Sequence, residues 1–237
     1  AFESDEWRGL LPSERASILH DIADTIDDHA EELAELETRQ NGKLIREMSS
    51  QMGGLGEWFR YYASQCRTHE GRTIPVESKG GEMFTYVREE PRGVVGAITP
   101  WNSPLLLTVF KLAPALAAGC TFVHKPSSYT PVSALRFAEI LHEEAGLPAG
   151  VYNVVTGGGS TAGEALITHD DIDKLAFTGS TGVGRHIGKA AGESLIPVSL
   201  ELGGKSPNVV FPSADLDNAI NGVIKGIFAA TGQTCLA

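Results

Sequence analysis

Cysteine is scarce: three in 237 residues, at positions 66, 120 and 235, with no CxxC spacing. That pattern argues against a zinc site or a disulfide framework, so no metal is expected and a reducing, cytoplasmic setting is. Basic side chains are also few, 19 Lys and Arg against 30 Asp and Glu, for a formal charge of −11. Nucleic acid and anionic membrane surfaces attract the opposite sign, so neither is an expected partner. Long apolar runs are missing too. Pro104 to Cys120 is interrupted by Lys111 and Pro114, short of the roughly 18 residues that span a bilayer. The given residues start without Met and show no signal-peptide pattern, and the native N-terminus is expected to lie upstream. The chain opens on the charged run after Ala1 and stops two residues after Cys235, so both ends are expected to be cut.

What is present is an ordinary globular composition, 42% hydrophobic and 21% charged, enough for one large domain or one domain and part of another. Ser13 is a candidate helix N-cap ahead of Ile18, Leu19, Ile22, Ile26, Leu33 and Leu36 at helical spacing, with a break near Asp27-Asp28 and a stop at Asn41-Gly42. A second helical stretch covers Ile45 to Cys66; Cys66 lies in polar sequence and takes no role. Thr73–Val76 and Met83–Arg88 flank Lys79-Gly80-Gly81, a hairpin that needs something to pack on.

From Val94 the pattern is regular. Short apolar runs at 94–99, 121–124, 151–155, 174–177 and 196–200 alternate with helical stretches at 104–118, 132–144, 161–167 and 181–191. This predicts an α/β fold, an open parallel sheet with helices on both faces. In such sheets a ligand binds beyond the carboxyl ends of the strands, where every polar or Gly-rich motif of this chain falls. Cys120, among Ala117, Ala118 and Phe122, reads as a small core residue.

Two Gly-rich turns, Gly157–Gly159 and Gly179–Gly184, each follow a strand and open a helix, where free N–H groups favour an anion. Lys125 closes the apolar run at 121–124 and reads either as a solvated loop lysine or as a partner for a ribose hydroxyl or a phosphate. Asn102, held between Pro100 and Pro104, reads either as a plain helix cap or as an amide donor to an oxyanion. Glu201, flanked by Leu200 and Leu202, is a candidate general base if burial raises its pKa. Cys235, beside Gly232 in a segment that could start a helix, is a candidate nucleophile.

Together, Trp101-Asn102, Lys125-Pro126-Ser127, Phe177–Thr181, Glu201–Lys205 and Gly232–Cys235 resemble, in order, the motifs of the NAD(P)-dependent aldehyde dehydrogenase superfamily. The spacings agree: Glu201 lies 99 residues after Asn102 (201 − 102), and Cys235 lies 34 after Glu201 (235 − 201). The resemblance implies a Rossmann-like cofactor domain built from N-terminal helices (1–70) and a dinucleotide-binding part (93–200). It also implies an oligomerisation hairpin (71–92) and the first strand and helix of a second α/β, catalytic domain (201–237). It implies catalysis by Cys235, Glu201 and Asn102 on a small-molecule aldehyde. NAD or NADP would contact Ile98, Thr99, Pro100, Trp101, Lys125, Ser127, Ser128, Gly159, Gly163, Phe177, Thr178, Gly179, Ser180, Val183 and Leu202. When full length, the protein would be a homo-oligomer, a dimer or tetramer.

Lys111 matches a family lysine sometimes placed in a proton relay. Two positions depart from the pattern. Ser128 stands where strictly NAD-using members often carry Glu, which predicts tolerance of NADP. Ser103 stands where many carry an aromatic, which predicts a wider substrate tunnel. A semialdehyde dehydrogenase is the alternative within enzymes. A non-catalytic protein of the same fold would have lost one of Asn102, Glu201 and Cys235, and all three are present. The chain as given is expected to be inactive alone.

Overall fold

The computed structural model describes residues 1–236. Five short helices come first: α1 (Asp5–Arg8), α2 (Pro12–Asp28), α3 (Ala30–Asn41), α4 (Ile45–Met52) and α5 (Leu55–Cys66). The break expected near Asp27-Asp28 falls at His29, and Gly42 ends α3 at φ 76°, a left-handed stop that glycine adopts freely. Ser13 is not the cap of α2. Leu11 is, with Pro12 at the first helical position and the Glu14 carboxylate accepting the Leu11 N–H at 2.7 Å. α1, unforeseen, fixes the start of the chain through the buried Trp7, whose Nε1–H donates to the Gly119 carbonyl at 2.9 Å.

β1 (Arg72–Ile74) and β2 (Thr85–Val87) pair antiparallel as the expected hairpin, shorter than the sequence suggested. Phe84 and Tyr86 stand exposed on it. The second sheet is wholly parallel. Its strands are β3 (Val94–Ile98), β4 (Thr121–Lys125), β5 (Tyr152–Val154), β6 (Lys174–Thr178) and β7 (Val198–Glu201), in the order β5-β4-β3-β6-β7. The crossovers are α6 (Pro104–Ala117), α7 (Val132–Glu143), a π-helical turn at Gly159–Gly163 running into α8 (Glu164–Ile167), and α9 (Thr181–Glu193).

Alternation along the strands divides the core in two. Val95 and Ala97 of β3 and Ala176 of β6 join a large cluster with α2, α5, α6 and α7. Val94 and Ile98, with Leu175 and Phe177, face a smaller one with Ile187 of α9. The chain runs outward from β3 to β4 and β5, then returns to place β6 on β3's other side. The loops leaving β3 and β6 therefore diverge and open a crevice between their carboxyl ends.

After β7 the expected first strand of a second domain does not form; residues 202–215 are irregular. α10 (Leu216–Phe228) follows and buries none of its side chains, leaving Ile220, Ile224, Ile227 and Phe228 exposed. Cys66 is buried, its thiol donating to carbonyls of Tyr62 and Ala117, so its polar sequence context misled. Cys120 is buried as expected. No helix of the described residues is long and apolar enough to cross a membrane.

Candidate active site

The crevice at the β3–β6 switch point holds all three candidate catalytic residues. It measures about 300 Å³ and is lined by Asn102 from the β3 loop, Thr178 and Ser180 at the end of β6, Glu201 at the end of β7, and Gln233 and Cys235. A wider cleft of about 540 Å³ lies at the base of the hairpin, where His69 and Glu89 pair with each other, and none of the sequence motifs reaches it.

Asn102 is half-buried, and its Nδ2 donates to the Gln233 carbonyl at 3.1 Å. A carboxamide carries two N–H groups, so one is committed to the segment bearing Cys235 and one remains to donate. This contact, across 131 residues, ties the β3 loop to the Cys235 segment. The carbonyl of Gln233 carried no signal in the sequence, because backbone acceptors have none.

Cys235 is exposed, and it does not begin a helix among the described residues. A short 3₁₀ turn, Ala229–Gly232, precedes it instead. Ala230 and Thr231 both sit at φ 54° and Gly232 at φ 72°. Left-handed backbone at two non-glycine residues costs about 1–2 kcal/mol each, so this turn is held strained beside Cys235. Glu201 also differs from expectation: it is exposed.

A half-buried charge borders the site, Lys111 on α6. Its Nζ donates to Thr178 Oγ1 at 2.5 Å and to the Leu107 carbonyl at 3.4 Å. Burial pulls its pKa from 10.5 to about 8, against the attraction of Glu201. Between pH 8 and 10.5 the unfolded chain therefore binds a proton that the folded chain does not, and stability rises with pH across that window. Below pH 8 both states are protonated and the burial cost is present in full. Lys111→Met is expected to flatten this rise; urea midpoints at both ends of the window, compared with wild type, read it directly. An undiminished rise in the variant would assign it to another group.

The residues proposed for a dinucleotide gather at the same sheet edge. Ile98, Thr99, Pro100 and Trp101 leave β3; Lys125, Ser127 and Ser128 leave β4; Phe177, Thr178, Gly179 and Ser180 leave β6. Gly159 and Gly163 bound the π-helical turn, and a Cβ on Gly163 would stand 3.8 Å from Lys125 Cδ and 3.9 Å from Ile98 Cδ1. Ser180 caps α9, accepting the Val183 N–H at 3.4 Å, while Val183 itself is exposed. Leu202 packs over Gly184, where a Cβ would come within 2.3 Å of it.

Lys125 supplies the chemistry that fits a dinucleotide. Its ammonium is buried, donates to the Pro126 carbonyl at 2.8 Å, and has no carboxylate within ion-pair distance among the described residues. Burial holds its pKa below the ordinary lysine range. A buried cation with donors to spare next to a Gly-rich turn suits hydroxyl or phosphate oxygens. Among the described residues no group of three His, Cys, Asp or Glu could hold a metal ion.

A family model described as the aldehyde dehydrogenase family matches residues 1–237. The chain belongs to the aldehyde dehydrogenase family. It is 49% identical over 239 residues to a phenylacetaldehyde dehydrogenase of Pseudomonas fluorescens, covering 99% of this chain and 47% of the relative. It is 48% identical over 233 residues to aldehyde dehydrogenase 1A1 of Ovis aries, covering 98% and 46%. Its fold matches the NAD+ complex of an aldehyde dehydrogenase from Bacillus cereus at a TM-score of 0.95 and 47% identity, over 100% of this chain and 48% of that one. The chain thus spans about half the length of the aldehyde dehydrogenases it matches.

Ser103 follows Asn102 in the loop that leaves β3. It is buried, and its Oγ accepts a hydrogen bond from Lys43 Nζ at 2.7 Å. Lys43 carried no signal in the sequence, since a lysine just after a helix stop reads as solvated.

Proposed function

We propose that the protein oxidises a small aldehyde to the carboxylic acid with NAD or NADP, as a homo-oligomer in the cytoplasm. The observation carrying this reading is the convergence of Asn102, Glu201 and Cys235 on one crevice at the sheet's switch point. Cys235 Sγ, freed of its proton, adds to the aldehyde carbon. The free N–H of Asn102 and the backbone N–H of Cys235 hold the oxyanion that forms. The chemistry supplied by the dinucleotide, when bound, is hydride acceptance, by which a thiohemiacetal on Cys235 becomes a thioester. Glu201 then takes a proton from the water that releases the acid.

Lys125, Ser127 and the turns at Gly159–Gly163 and Gly179–Val183 would hold the dinucleotide. The hairpin β1–β2, with its exposed Phe84 and Tyr86, serves subunit contact in this reading. Steady-state assays of the full-length natural protein with an aldehyde panel, followed at the NAD(P)H absorbance band, test the activity. No turnover of any aldehyde with either dinucleotide would overturn it.

The choice of dinucleotide turns on Ser128. It is exposed, uncharged, and its Oγ donates to the Gly157 carbonyl at 3.0 Å, binding the β4 loop to the glycine turn after β5. A carboxylate at this position would repel a 2′-phosphate; a serine does not. The expected result is that kcat/KM with NADP lies within about tenfold of that with NAD, since one removed repulsion is worth about one or two kcal/mol. A preference for NAD of about a hundredfold or more would show that other residues exclude the phosphate.

A further inference from the structure

We propose that Lys43 is a positioning residue for Asn102, acting through the hydroxyl of Ser103. The inference rests on the oxidation reading above for the job that Asn102 performs.

Lys43 follows the left-handed Gly42 that ends α3, and its own N–H donates to Asn41 Oδ1 at 2.9 Å. Its side chain is only 2% exposed, which is rare for lysine and needs a partner. No carboxylate lies within ion-pair distance of it among the described residues. Its Nζ instead donates to Ser103 Oγ, 60 residues along the chain. Glu37 and Glu47 balance its charge from farther away, and each keeps one buried carboxylate oxygen without a hydrogen bond.

Ser103 shows that this contact is chosen over a local one. It occupies the N-cap of α6, where a serine hydroxyl ordinarily accepts an N–H from the helix's first turn. Here it makes no such bond, and its backbone lies at φ −153°, ψ 68°. The hydroxyl is given to Lys43 instead. Asn102 is the residue just before Ser103, in an irregular turn, and its side chain bonds to the Gln233 carbonyl. Fixing Ser103 from behind fixes the direction in which the Asn102 carboxamide leaves the turn. Displacing a group of this kind by about 1 Å can cost on the order of a hundredfold in rate.

The test uses the full-length natural protein with Lys43→Met, which keeps the stem and removes the charge and donor. kcat/KM for benzaldehyde is expected to fall about tenfold or more, with the Kd for NAD+ by calorimetry within about twofold of wild type. In an Asn102→Ala background the same change is expected to cost less than about twofold, since its target is gone. A crystal structure of Lys43→Met is expected to show Asn102 Nδ2 turned out of hydrogen-bond reach of the Gln233 carbonyl. If Lys43→Met does not fold, Ser103→Ala takes its place with the same expectations. Unchanged activity, an equal loss with and without Asn102, or an undisturbed Asn102 in the crystal structure would each overturn the proposal. A wild-type protein that oxidises no aldehyde would sink the oxidation reading alone, and the orientation of Asn102 in the variant would still decide this one.

Discussion

Cys235→Ala in the full-length natural protein is expected to lower kcat for aldehyde oxidation by about 10⁴-fold or more, since under the proposed mechanism it deletes the covalent nucleophile and removes the pathway rather than tuning it. Dinucleotide affinity should stay near wild type, because Cys235 is not among the residues proposed to hold the dinucleotide. Alkylation provides an independent check. Cys66 and Cys120 are both buried, and burial pushes the Cys66 thiol above the ordinary range, so it is further from the reactive thiolate. Iodoacetamide on the native protein should therefore modify Cys235 before the other two, and activity should fall in step with that modification. A Cys235→Ala variant that kept more than about a tenth of wild-type kcat would rule out covalent catalysis at this position.

The parallel sheet was legible because buried strands are written as short apolar runs, and those starting at Val94, Thr121 and Lys174 could hardly be anything else. The candidate site was legible for the same geometric reason: Asn102, Lys125, Thr178 and Glu201 follow or end strands, and parallel strands all finish on one edge. What could not be read were contacts made across the fold. The Lys43 to Ser103 bond joins residues 60 apart, and the Asn102 to Gln233 bond joins residues 131 apart through a carbonyl that every residue possesses. Exposure was misjudged for the same reason. Apolar neighbours in sequence, Leu200 and Leu202, point away from the strand face on which Glu201 lies, so they do not bury it. Cys66 failed in the other direction, with polar neighbours around a side chain that α5 turns inward against the end of α6.

The exposure of Glu201 bears on its role. A general base for hydrolysis must meet water, and the Glu201 carboxylate is exposed in the same crevice as Cys235. Glu201→Gln keeps the shape and loses only the ability to take a proton. Steady-state kcat is expected to fall by about 10² to 10⁴-fold, the usual worth of a positioned acid–base group. The first turnover should survive. A rapid burst of NAD(P)H approaching one equivalent per site, followed by a slow phase, would mark an acyl group stranded on Cys235, and intact-mass measurement should find it there. The two phases separate the competing roles. If the burst slows as much as the steady state, Glu201 removes the proton from the Cys235 thiol, and hydrolysis is served by another group. If the burst stays fast while turnover collapses, the carboxylate works on water, and Lys111, coupled to it electrostatically and bonded to Thr178 at the neighbouring strand end, becomes the route by which that proton leaves.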